Sequence, residues 1–118
     1  MKWFADATEI YLHREPVDFR KAINGLAVIV EEQMALSAYR PAIFVFCNRQ
    51  RDKLKILCWD DTGFVLWYKR LEKAKFKWPR QDNAEVISLT PEALDWLLRG
   101  LDIKALTPHQ KLAFSHAF

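Results

Sequence analysis

Eight cationic side chains stand in or beside apolar, aromatic runs in the middle of the chain: Arg49, Arg51, Lys53, Lys55, Lys69, Arg70, Lys73 and Lys75. Lys and Arg spaced along strand ends and turns concentrate anions and can follow a phosphate backbone. The chemistry this pattern suggests is polyanion binding, with nucleic acid the first candidate. The same residue types also solubilise strand ends and blunt sheet edges against aggregation. Their distribution adds information. Residues 49–80 hold ten basic and four acidic groups, a net of +6, whereas the other 86 residues hold eight basic and eleven acidic, a net of −3. The overall charge of +3 hides a basic middle between mildly acidic ends.

Other residue types offer less. Cys47 and Cys58 are eleven apart, with no Cys-x-x-Cys pair and no His nearby, so no metal site is expected. His13, His109 and His116 lie towards the two ends of the chain, where packing or surface roles account for them. A nucleophile elbow, a P-loop and a dinucleotide-binding glycine motif are all missing, and the chain has only three glycines. Asp60 and Asp61 are the carboxylates a metal-dependent nuclease would need, but neighbours at a strand end point to opposite faces, and a turn explains them. No enzyme activity and no cofactor are expected. Trp59, Phe64, Trp67, Tyr68, Phe76 and Trp78 could stack on unpaired bases, as on an RRM-like sheet, yet aromatics in strands of a small domain serve the core first.

The elements that must position these groups follow from periodicity. Of 118 residues about half are apolar, and only eight are Gly or Pro, which fits one globular domain over residues 1–118 with its own core and a tail over 102–118. Residues 9–13 read as a short strand. Phe19, Ile23, Leu26 and Val30 recur at helical spacing, predicting a helix over about 17–34 with Asp18 near its start as a cap, although Asn24-Gly25 is also a hairpin signal. Three runs rich in β-branched and aromatic residues follow, AIFVFCN (42–48), KLKILCWD (53–60) and GFVLWYKRL (63–71), separated by NRQRD and DDTG turns. The second turn is expected to be a type I turn closed by a glycine at positive φ. KFKWP (75–79) is a candidate fourth strand and 85–89 a fifth. Thr90-Pro91-Glu92 starts a second helix with the stripe Leu94, Leu97, Leu98 and Leu101, and Thr107-Pro108 starts a shorter one in the tail. The fold class is α+β, an antiparallel β-meander of three to five strands packed by two helices.

A turn at DDTG sets the pairing. Cys58 falls opposite Val65, Ile56 opposite Trp67 and Leu54 opposite Lys69 on one face, with Trp59–Phe64, Leu57–Leu66 and Lys55–Tyr68 on the other. The eight cations then converge at the end of the ribbon away from the bend, while Asp60 and Asp61 stay at it. Thiols in apolar runs, no secretory leader and no apolar run near the ~18 residues of a membrane span lead to the expectation of a cytoplasmic protein.

The run DFRKAINGL (18–26), the phrase FVFCNR (44–49), LKIL with Trp59-Asp60, and LWYKRLE (66–72) together resemble the TnpB accessory protein of the IS66 type of bacterial insertion sequences. The likeness runs over about residues 9–101; it departs from the family pattern at 37–41 and after Asp102. It implies a non-catalytic accessory protein for DNA transposition, encoded beside a separate, larger transposase that carries the catalytic acids. DNA is then the expected partner. The alternative is an adaptor that holds the transposase of the same element without touching DNA. Arg49, Lys53, Lys55, Lys69 and Arg70 lie within the matched motifs.

Overall fold

The computed structural model describes residues 9–79 and 84–103. Five strands form one sheet: β1 (Glu9–His13), β2 (Ala42–Cys47), β3 (Lys53–Asp60), β4 (Gly63–Arg70) and β5 (Val86–Ser88). Their order is β4-β3-β2-β1-β5. Helix α1 (Ile23–Glu32) connects β1 to β2, and α2 (Pro91–Leu98) follows β5.

The meander β2-β3-β4 is antiparallel, and its register is the one that the DDTG turn dictates, from Asp60 opposite Gly63 to Lys53 opposite Arg70. β1 joins the other side of β2 in parallel, which requires the α1 crossover, and β5 closes that side antiparallel to β1. The sheet is therefore mixed. β2 is central, and all six of its residues are buried.

Both sheet faces are covered, and the strand alternation sorts the core accordingly. Phe44, Phe46 and Leu57 pack under α1 against Leu26, Ile29 and Val30. On the other face Ile43, Val45, Leu54 and Ile56 meet Leu94, Leu97 and Leu98 of α2, together with Phe76 and Trp78. Thr90 caps α2 as expected, its Oγ accepting from the Ala93 N–H at 3.1 Å, with Pro91 in the first turn.

Several expectations need correction. α1 begins at Ile23, not near 17, because Asp18 organises a tight turn: its carboxylate accepts the Arg20 N–H at 2.9 Å and its carbonyl accepts the Lys21 N–H. Val17 and Phe19 still pack on the α1 face, so their spacing imitates a helix without one. Asn24 and Gly25 lie inside α1 and make no hairpin. At the β3–β4 bend the left-handed residue is Asp61, at φ 49°, and Gly63 is already paired. Residues 75–79 alternate exposed lysine and buried aromatic but join no sheet; the segment is held by the Phe76 N–H on the Arg51 carbonyl and the Trp78 indole on the His13 carbonyl. The helix expected after Thr107, with His109 and His116, falls outside the described residues. Among the described residues no helix is long and apolar enough to cross a membrane.

Candidate nucleic-acid interface

The turn between β2 and β3 is built by one buried side chain. Asn48 accepts the Lys53 N–H through Oδ1 at 3.1 Å and donates through Nδ2 to the Asp52 carboxylate at 2.7 Å, while its carbonyl accepts the Arg51 N–H. Arg51 is thereby forced to φ 62°, a left-handed conformation. The consequence is a compact turn with Arg49 exposed and Arg51 and Lys53 half-buried.

The chain leaving β4 is tied under this turn. The Leu71 N–H bonds the Asp52 carbonyl at 2.8 Å and the Phe76 N–H bonds the Arg51 carbonyl at 2.7 Å, which carries the exposed Lys73 and Lys75 past the same end of the sheet. Asp52 sits among them. Its carboxyl is held below the usual range, first by the Asn48 hydrogen bond and further by the charges of Lys53 and Lys75. The strand register thus brings the basic groups to one end of the sheet and leaves the exposed Asp60 and Asp61 at the other.

Three of the eight sequence candidates have other employment. Lys55 is buried, and its ammonium donates to the carbonyls of Phe19 at 3.0 Å and Lys21 at 2.8 Å while lying 4.7 Å from the centre of the Phe19 ring. Burial lowers its pKa. Lys69 donates to the Leu98 carbonyl at 2.8 Å, where a cation suits the negative end of α2. Arg70 pairs with Glu72 at 2.8 Å on the surface. Arg49, Arg51, Lys53, Lys73 and Lys75 form no ion pair with any described residue.

Sequence reasoning missed the other wall of this end. The Val17 N–H bonds the Cys47 carbonyl at 2.9 Å, which seats the 16–19 segment beside the 48–53 turn and leaves a groove of about 420 Å³ between them. The signal was the turn-forming Asp18, hidden inside an apparent helix. Exposed Lys77, next to Phe76, is a further cation outside the predicted set.

Other polar and aromatic groups among the described residues pack into the fold. Cys47 and Cys58 are buried and free; desolvation pushes the Cys47 thiol up to about 12 and raises that of Cys58. The buried His13 ring reaches the Glu15 carbonyl at 2.7 Å and Gln33 Oε1 at 3.0 Å, clamping β1 to the end of α1. Phe76 and Trp78 are core, and Trp67 packs against the same cluster. Trp59 and Phe64 join Tyr39 in an aromatic trio, with centroids 5.0–5.3 Å apart, at the bend. Of the six aromatics considered for stacking, Tyr68 is the most open, at 49% exposure.

Comparison with known proteins gives one family. The model described as IS66 Orf2 like protein matches residues 8–108. Among curated proteins the chain is similar to the uncharacterized protein y4jC of Sinorhizobium fredii, 37% identical over 94 residues that cover 79% of each chain. It is also similar to the uncharacterized protein y4hO of the same organism, 34% identical over 85 residues, 72% of this chain and 73% of that one. No solved structure gives a significant match.

Proposed function

The chain belongs to the IS66 Orf2-like family, which is associated with transposition, and we propose that it acts there as a non-catalytic accessory protein that grips DNA by the basic end of its sheet. One observation carries this reading: Arg49, Arg51, Lys53, Lys73 and Lys75, distant in sequence, share one end of the fold, and none is ion-paired with a described residue. Cations outside ion pairs release counterions from phosphates when they bind, whereas paired ones gain little.

Salt-titrated binding to duplex DNA tests it. Five phosphate contacts give a log–log slope near −4.5, from about −0.9 per contact. Replacing Arg49, Lys53, Lys73 and Lys75 together by Ala flattens the slope to about −1. An unchanged slope removes the proposal.

A second reading, an adaptor for the transposase of the same element without DNA contact, draws on β4. This strand is eight residues long, pairs only with β3 among the described residues and carries the half-exposed Tyr68, so it offers backbone groups and apolar surface to another chain. Capture of the transposase from nuclease-treated extract by the four-alanine variant supports the adaptor; loss of capture on nuclease treatment supports DNA as the link.

A further inference from the structure

The groove between the 16–19 segment and the 48–53 turn has a composition that a plain phosphate grip does not require. At about 420 Å³ it falls in the roughly 300–1,000 Å³ range of small-ligand clefts. One wall is made by the apolar residues Pro16, Val17 and Phe19; the other carries Arg49, Gln50 and Lys53. Asp18 also lines it, and the Arg20 guanidinium keeps that carboxyl ionised down to about pH 2. A bare phosphate would meet the two cations and leave the apolar residues of the other wall uncovered.

We propose that this groove receives one unstacked nucleotide of a single strand. The inference rests on the nucleic-acid reading above and narrows it. Arg49 and Lys53 hold the phosphate, and the base lies against Pro16, Val17 and Phe19. A ligand with an anionic end and a flat apolar face satisfies both walls of the groove at once. Neighbouring nucleotides then run over the exposed Lys73 and Lys75. An RNA strand offers the same chemistry as DNA, so both belong in the test.

Anisotropy measurements on the full chain with a deoxycytidine oligomer, the ribocytidine oligomer and a duplex of equal length decide the matter. Single strands are expected to bind at least about tenfold tighter than duplex, within the range that one stacked base contributes. Whichever sugar binds tighter identifies the natural strand. Pro16→Ala removes apolar contact from the groove without changing charge and lies outside the proposed duplex grip, so it brings single-strand binding down towards the duplex level and leaves duplex binding unchanged. Equal affinity for both forms, with no effect of Pro16→Ala, overturns the groove and leaves the duplex grip standing. Failure to bind any of the three overturns the nucleic-acid reading as well. A readout on the unaltered protein guards against a variant that misfolds: amide NMR shifts on adding deoxycytidine monophosphate are expected at 17–19 and 48–53. Shifts confined to other residues overturn the groove.

Discussion

Lys55 lies on β3 between Leu54 and Ile56, both wholly buried, and its ammonium finds two backbone carbonyls in place of a carboxylate. Those carbonyls belong to the turn that precedes α1, so the lysine fastens that turn to the sheet. Lys55→Met keeps the stem and strands both acceptors; the loss is about 2–4 kcal/mol in urea unfolding, with the DNA salt slope unchanged. A flattened slope would return Lys55 to the interface. Burial has a second consequence at Cys47, whose thiol is pushed from the ordinary 9.0 up to about 12. Above pH 9 the unfolded chain releases this proton and the folded chain keeps it, so the group's contribution is intact below pH 9 and is lost as pH rises towards 12. Lys55 works the other way: its lowered pKa means that the folded chain sheds a proton first, and stability from this group rises with pH just below 10.5. In alkaline melts Cys47→Ala is therefore expected to show a shallower fall in stability between pH 9 and 12 than the parent. Parallel curves would exclude the buried thiol as the cause.

In α1, Gly25 occupies a helix interior, where Ala is ordinarily better by about 1 kcal/mol. A Cβ added there would lie 3.0 Å from the Lys21 Cβ and Cγ, and the Lys21 carbonyl is one of the two that Lys55 holds. Gly25→Ala is thus expected to lower the melting temperature, and the loss shrinks in a Lys55→Met background, where the turn is free to shift. A gain in stability from Gly25→Ala alone would show that the turn yields. The same packing explains what the sequence could disclose. The β3–β4 register was legible residue by residue, because a two-residue bend and period-two alternation leave one pairing that keeps both faces apolar. Thr90-Pro91 was legible because a cap acts within three residues. The start of α1 was not: Val17 and Phe19 fill helix-like positions from a turn fixed by Cys47, thirty residues on. Nor were the fates of Lys55 and Lys69, since their carbonyl partners stand 34, 36 and 29 residues away and no local pattern announces them.

Taken together, the fold separates charge along the sheet: carboxylates and an aromatic trio at the β3–β4 bend, cations at the far end of the same two strands. Eight residues of strand span roughly 26 Å, about three Debye lengths at physiological salt, so the two ends act on a polyanion independently. This separation distinguishes a local grip from attraction by net charge. Neutralising Asp60 and Asp61 to Asn raises the net charge by two at the wrong end, and the DNA salt slope is expected to stay as it was. Glu72→Gln raises the net charge by only one, yet it releases Arg70 from its surface pair beside Lys53 and adds a cation to the basic end. The slope then steepens by about 0.9, the value of one further phosphate contact. If the bend substitutions steepen the slope as much as Glu72→Gln does, binding follows total charge, and the ordered end of the sheet loses its claim to be the interface.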